Sequence, residues 1–470
     1  MISFLPIVLL AYFLAGRVSY RLRLIVLMGA SLVFYWPAGI HCCLLLLGSL
    51  LVNYGLCQLL RRRKAPKAIV TVGILLNVLL LFLFKYYNFF AENVQAFLGA
   101  TLPRHSWLLP LGISFYTFQQ ISYLLERYRG QGEEDSFLEY GAYILYFPKL
   151  VMGPLTEPGD LIRQFRDPQR KHLNWDNLMG GICIFVRGLL KKVFFADIFA
   201  AAVNWGFSHV PELTAVDTGI IMVCYTLQIY FDFSGYSDMA VGISQMLNLQ
   251  LPQNFHQPYR ALSVGDFWKR WHMTLTGFFT RNIYIPLGGS RRGQLRTYCN
   301  VLIVFLVSGI WHGANWTFLL WGLLYGLLVA ADKALGKHNR LPAVFNWMIT
   351  FSIVNVLWLL FRADSVGQWI YLLRNMLSLR GLSVTPDLLR CMFAQGLEIL
   401  EILVPVLSSK IHFLLFVLAG LLVSLFCREP QTRVYRPGIL QLAGSLSAAL
   451  LCFWLIYSNT MQSTFVYFGF

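Results

Sequence analysis

Apolar runs separated by short polar, basic or turn-rich stretches make up most of this chain. They fall at about 2–16, 24–36, 40–60, 68–84, 106–125, 138–152, 178–203, 215–231, 298–331, 343–361, 411–427 and 438–457. A straight helical crossing of a bilayer takes ~20 residues. The run at 298–331 is too long for one crossing, which predicts two elements divided near Gly309–Gly313. Several other runs are shorter than a crossing and suit half-helices or buried segments. The pattern predicts about eleven membrane elements. Two stretches read differently. Residues 157–177 are polar with scattered apolar anchors, as in a segment lying at the interface. Residues 387–403 place Leu389, Met392, Phe393, Leu400 and Leu403 on one helical face, which predicts an interfacial helix or a buried one with a polar edge. No solenoid-period repeat and no low-complexity linker interrupts the chain, so residues 1–470 read as one membrane-embedded domain.

Composition agrees with the pattern. Of 470 residues, 57% are hydrophobic and only 13% charged, with a mean hydropathy of +0.59. That excludes a disordered chain and argues against a soluble globular enzyme, because the charges are too few to cover water-facing domains. The net charge of +16 is carried by basic residues that punctuate the apolar runs, not by a basic face, so nucleic acid is not an expected partner. Arg17, Arg21 and Arg23 form one cluster; Arg61, Arg62, Arg63, Lys64 and Lys67 form another. They flank a hairpin whose tip, Trp36-Pro37-Ala38-Gly39, is uncharged. The positive-inside rule then puts both clusters, and the loop Arg281 to Arg296, in the cytoplasm and the N-terminus outside. The opening MISFLPIVLLAYFLAGR lacks a basic n-region and reads as a retained short span. Nine cysteines are scattered, including adjacent Cys42 and Cys43, without zinc-ligand spacing; they read as small packed hydrophobes, and no metal site is expected.

Chemistry concentrates in residues 225–331. In YTLQIYFDFSGYSD, Tyr225, Gln228, Asp232 and Tyr236 recur at helical spacing and draw a polar stripe along an apolar span. A carboxylate at membrane depth is costly, so Asp232 faces a cavity or a partner, in a functional or a purely structural role. Asp238 faces elsewhere, which argues against a paired-carboxylate site. In FWKRWHMTLTGFF, Trp268, Trp271, His272 and Leu275 share one helical face, where a histidine is more often a packed core residue than a catalyst. The turn-rich basic loop that follows, with Pro286-Leu287-Gly288-Gly289 and Arg291-Arg292, is either an orientation signal or a grip for phosphates. In FLVSGIWHGANWTFLLWGLLYG, a continuous helix would put Ser308, His312, Asn315 and Trp316 on one face. His312 is a candidate proton acceptor in an apolar run, with an interhelical hydrogen bond as the alternative.

FDFSGYSDMAVG, LPQNF followed by PY, FWKRWHMTLTGFF, YIPLGG and SGIWHGANWTFLLWGLLYG resemble the bacterial membrane-bound O-acyltransferases, most of all the alginate O-acetyltransferase branch. So do PLGISFYTFQQISYLLERYRG, YFPKLVMGPL, LWLLFRADS and the terminal FVYFGF, which extends the likeness along most of the chain around core motifs at about 110–365. The resemblance implies an all-α fold of about eleven transmembrane helices, with interfacial or re-entrant helices, around a central tunnel. It implies that His312 is the family's invariant histidine and His272 its second, upstream one. It implies acetyl transfer from a cytoplasmic thioester toward an extracytoplasmic polysaccharide, often completed by a separate periplasmic acetyltransferase subunit. Two positions depart: Asn282 stands where relatives carry an acid, and Glu126 where Asp is commoner.

The reading that follows is an O-acyltransferase of the bacterial inner membrane. Acetyl-CoA is the expected donor substrate and no permanently bound cofactor is expected. His312 would be the general base, or would carry a transient acyl group; His272, Asp232, Tyr236, Trp271, Asn315 and Trp316 would line the site. Arg281, Arg291 and Arg292 would meet the CoA phosphates. Rival readings are D-alanyl transfer to teichoic acid, a transporter or flippase with Asp232 and His312 on a proton path, and an idle scaffold for a periplasmic partner.

Overall fold

The structure is a computed structural model and describes residues 3–61, 65–131, 134–335, 341–398, 401, 407–429, 436–458 and 465. Among the described residues every regular element is helical. Eight helices among the described residues are long and apolar enough to cross a membrane: Tyr20–Ala38, Ile40–Arg61, Pro66–Leu98, Gln294–His312, Trp316–Leu335, Ala343–Arg362, Ser409–Phe426 and Ile439–Tyr457. Phe4–Val18 is a shorter apolar helix. The all-α polytopic class holds, with fewer full-length crossings among the described residues than the about eleven membrane elements expected, and several shorter apolar helices beside them.

Two compact units make up the chain. One comprises Met1–Phe185, Met239–Pro252 and Gln431–Ile439; the other comprises Val186–Asp238, Gln253–Pro430 and Leu440–Phe470.

In the first unit, α1 (Phe4–Val18), α2 (Tyr20–Tyr35), α3 (Ile40–Arg61), α4 (Pro66–Leu81) and α5 (Tyr87–Leu98) follow one another with minimal loops. Ser19 ends α1 in extended conformation and caps α2 by accepting the Leu22 N–H. After α6 (Ile113–Tyr128), a capping box of Ser136 and Glu139 starts α7 (Phe137–Leu145). The run expected over 138–152 is split, because Tyr146 leaves helical geometry ahead of Pro148 and a single turn, α8 (Phe147–Leu150), follows. The stretch expected at the interface contains α9 (Pro158–Arg166), which buries Leu161, Ile162 and Phe165 and exposes Asp160 and Arg163. Side-chain amides tie three helices together: Asn77 donates to Asn53 at 2.7 Å and Asn53 donates to Gln120 at 2.9 Å. In hydrocarbon such amides have no water to bond, so they bond each other.

α10 (Trp175–Leu190), a wide π turn at Lys191–Ala196 and α11 (Asp197–Ser208) form one helical stretch. α12 (Ala215–Met246) is 32 residues long and runs well past the apolar stretch expected to end near 231. The polar residues beyond that point, Asp232, Ser234, Ser237 and Asp238, are buried rather than solvated, so they do not end the helix. Then come α13 (Val264–Arg270), α14 (Met273–Phe279), α15 (Gln294–His312), α16 (Trp316–Leu335), α17 (Ala343–Arg362), α18 (Val366–Leu377), α19 (Pro386–Met392), α20 (Ser409–Phe426) and α21 (Ile439–Ser458). The single amphipathic helix expected over 387–403 is corrected. α19 ends at Met392, and Gly396 in the following turn has φ 120°, so one continuous apolar face does not form. Leu400, Leu403, Arg62, Arg63, Lys64 and the FVYFGF ending beyond Phe465 lie outside the described residues.

The run at 298–331 is two helices, as expected, divided at Gly313–Asn315. α15 and α16 meet backbone to backbone. A Cβ on Gly309 would sit 2.3 Å from the Phe318 carbonyl oxygen, and one on Gly322 2.4 Å from that of Phe305. Only glycine admits this approach. Gly309→Ala or Gly322→Ala is therefore expected to cost roughly 1–3 kcal/mol as overpacking and to lower folded protein in membranes several-fold. Gly48→Ala, where a Cβ meets nothing within 4 Å, is the control. Detergent-extracted monodisperse protein is the measurement; equal yields for all three variants would contradict the close approach.

Candidate active site

His312 is the last residue of α15 and is 4% exposed. Its imidazole is boxed by rings: Trp311 at 4.9 Å, Trp321 at 5.1 Å and Phe361 at 5.1 Å between centroids. The chain then leaves the helix, since Gly313 is extended (φ −170°, ψ 160°). The face expected to join Ser308 and His312 to Asn315 and Trp316 is thus corrected, because the latter two begin the next helix. Asn315 caps it, accepting the Thr317 N–H at 3.1 Å and donating to the Asp364 carbonyl at 3.0 Å. Trp316 is half exposed.

His272 does not sit within a helix. α13 ends at Arg270, Trp271 is extended (φ −100°, ψ 130°), and His272 has φ 45° and ψ 51°, in the left-handed region. The expected helical face of Trp268, Trp271, His272 and Leu275 is corrected accordingly. The physical reason is a backbone pairing: His256 N–H donates to Arg270 C=O, and Met273 N–H to Asn254 C=O, each at 2.9 Å. These bonds draw the chain out of the helix beside residues 254–256. A left-handed non-glycine residue carries strain and persists only where its surroundings hold it. His272 is 1% exposed, and its ring meets Phe233 at 4.7 Å and Trp311 at 6.3 Å. The Trp311 indole therefore touches both histidine rings. Trp271 packs on Trp358 at 4.9 Å, and Trp358 on Trp321, so it belongs to the same aromatic shell as His312.

Asp232 is a partner in a buried ion pair. Lys192 donates to it at 2.7 Å and reaches Asp197 at 2.9 Å. Six residues on, Asp238 meets Lys191 at 2.7 Å and Arg187 at 3.6 Å. The two carboxylates serve separate cations. The π turn lets consecutive lysines on one helix face α12. Gly235 makes room: its Cβ would lie 2.8 Å from the Gly188 carbonyl. Tyr236 stacks edge-on against Phe465 at 5.3 Å, and that ring also covers Lys192 at 4.3 Å. Arg281 lies on the π turn Thr280–Tyr284, and Arg291 and Arg292 follow a turn with positive φ at Gly288 and Gly289. All three arginines are exposed, on the segment between α14 and α15.

Sequence reasoning missed Asn254, Lys191 and Lys192. The lysines carried a signal, since two ammonium groups inside the apolar run 178–203 need counter-charges and Asp232 and Asp238 were the carboxylates at hand. Among the described residues no group of three His, Cys, Asp or Glu is placed to hold a metal ion.

Residues 64–365 match the model of the MBOAT, membrane-bound O-acyltransferase, family. The chain belongs to that family. It is an O-acyltransferase and a multi-pass membrane protein. A peptidoglycan O-acetyltransferase of Helicobacter pylori is 33% identical over all of this chain and 96% of its own length. A "probable alginate O-acetylase" of Pseudomonas aeruginosa is 36% identical over 77% of this chain and 71% of its own length. A teichoic acid D-alanyltransferase of Bacillus subtilis is 27% identical over 59% of this chain and 72% of its own length.

The ion pairs generate an asymmetric prediction. Removing one partner of a buried pair costs ~3–5 kcal/mol. Lys192→Met strips the cation from two carboxylates, whereas Asp232→Asn leaves Lys192 its bond to Asp197. Thermal unfolding in detergent is expected to show Lys192→Met as the less stable of the two. The reverse order would mean that Lys192 is not the hub.

Proposed function

We propose that this O-acyltransferase moves an acetyl group from acetyl-CoA on the cytoplasmic side of the bacterial inner membrane toward an extracytoplasmic glycan, to a hydroxyl of the glycan itself or of a periplasmic partner acetyltransferase. The observation that carries the reading is the pair of buried histidines that both meet the Trp311 indole, His312 inside a box of aromatic rings. Its relatives support an acetyl group and a glycan: those named for O-acetylation of peptidoglycan or alginate are 33–36% identical, and the D-alanyltransferase 27%.

In this mechanism His312 takes the proton of the acceptor hydroxyl as its oxygen attacks the thioester carbonyl carbon. The carbon–sulfur bond breaks, and His312 returns the proton to the departing thiolate, leaving an O-acetyl ester and free CoA thiol. A dry aromatic surround suits a thioester, because water would hydrolyse it. His272, which meets the same indole, orients a substrate. Trp271 belongs to the wall; Asp232 and Tyr236 of α12, with Lys192 of the π turn before α11, form a charged and aromatic support, and Asn315 fixes the turn after His312. Arg281, Arg291 and Arg292 are exposed guanidinium groups suited to the CoA phosphates. The basic loops lie in the cytoplasm and the N-terminus outside, and a periplasmic acetyltransferase subunit is the expected partner for the final transfer. Residues 1–470 act as a single membrane-embedded domain, with the donor and the acceptor on opposite sides of the membrane.

The test is acetyl content of the cell's surface and secreted glycans in a strain lacking this protein, complemented with wild type, His312→Ala or His272→Ala at matched membrane levels. General acid–base catalysis is worth ~10²–10⁴-fold, so His312→Ala is expected to reduce acetylation to background while polymer is still made and exported. Normal acetylation by His312→Ala would sink the base assignment. Normal acetylation with failed export would replace the enzyme by a transport role.

A further inference from the structure

Asn254 holds three consecutive residues. Its backbone carbonyl accepts the Met273 N–H at 2.9 Å. Its side-chain oxygen accepts the Thr274 hydroxyl at 2.8 Å and the Thr274 N–H at 3.4 Å, and it faces His272 Nδ1 at 3.0 Å. Its amide nitrogen donates to Ser237 Oγ at 3.4 Å. A backbone N–H is only ever a donor, so the side-chain atom facing Thr274 N–H is the carboxamide oxygen, not its nitrogen. An oxygen in that place is only ever an acceptor. The ring nitrogen facing it must therefore carry the hydrogen, and a neutral imidazole with hydrogen on Nδ1 has its lone pair on Nε2. That Nε2 is buried and meets no hydrogen-bond partner among the described residues. Burial also pushes the imidazole's pKa down to about 3, so the ring is neutral and one tautomer describes it.

We propose that Asn254 is a positioning residue that fixes His272 as the Nδ1–H tautomer, so that its Nε2 presents an acceptor to an O–H group of the acyl acceptor. The role toward the hydroxyl rests on the function proposed above; the tautomer does not. A neutral His272 of this kind cannot donate a hydrogen bond to the thioester carbonyl. It discriminates in favour of a hydroxyl-bearing substrate and leaves proton removal to His312. The same clamp maintains the left-handed backbone at His272, because its bonds to Met273 and Thr274 fix the peptide units that follow.

The experiment is ¹⁵N nuclear magnetic resonance of the full-length protein in detergent micelles, labelled at histidine ring nitrogens. Nine histidines contribute, and His272 is assigned by the signals lost in His272→Gln. The expected spectrum has a protonated Nδ1 and an unprotonated Nε2 at His272, and Asn254→Leu converts it to a mixture of tautomers or to the opposite one. A wild-type spectrum with hydrogen on Nε2 overturns the proposal, as does an unchanged tautomer in Asn254→Leu. The wild-type spectrum decides the tautomer even where the variant does not fold. In cells, Asn254→Leu at matched membrane level is expected to lower glycan acetylation at least tenfold. Normal acetylation alongside a changed tautomer overturns the role toward the hydroxyl. Failure of the His312 test would instead remove the proposed function and leave the tautomer standing.

Discussion

Hydrocarbon offers no hydrogen bonds, and most of this structure follows from that single deficit. Every polar group placed at membrane depth must find its partner within the protein. Asn53, Asn77 and Gln120 therefore join α3, α4 and α6. Lys191 and Lys192 pair with Asp238 and Asp232. Glu429, buried after α20, accepts from the Tyr230 hydroxyl at 2.7 Å and from the Gln257 N–H at 3.1 Å, which ties the loop that carries Asn254 to α12. These contacts are costly to form from water, but each is a specific instruction about which helices meet and in what register.

The histidine pair lies in aromatic surroundings: Trp311, Trp321 and Phe361 around His312, Phe233 and Trp311 around His272. His312 is presented by the end of a helix, His272 by a kink between two short ones. An imidazole at a helix end inherits its direction from a rigid axis. One at a kink is directed by the hydrogen bonds that make the kink, which is why a single asparagine has so much influence over it.

Much of this architecture is legible in the residue pattern, because hydrophobic length and the 3.6-residue period are local properties. Runs such as 40–60, 343–361 and 411–427 became helices within a residue or two of their ends, and the long run at 298–331 split beside Gly313. What stayed hidden depends on distant partners. The polar residues after Phe231 look like a helix end until Lys192, 40 residues away in the chain, neutralises Asp232. FWKRWHMTL looks helical because nothing in its own spacing announces that residues 254–256 will pair with its backbone. His312 and His272 stood out by residue type in an apolar context, and their motifs matched a family. Asn254 did not, since an asparagine's importance lies in what it bonds and not in its own chemistry.

The glycine-lined crossing of α15 and α16 has a mechanical side. At Gly309 and Gly322 no side chain separates the two backbones, so sliding one helix past the other would drive a carbonyl oxygen into main chain, and the shear that packed helices ordinarily allow is resisted here. The hairpin moves as a single strut, and His312 rides at its end. Trp321 belongs to the same strut and keeps its place against the imidazole, so of the rings around His312 it is Phe361, at the end of α17, that can shift relative to it.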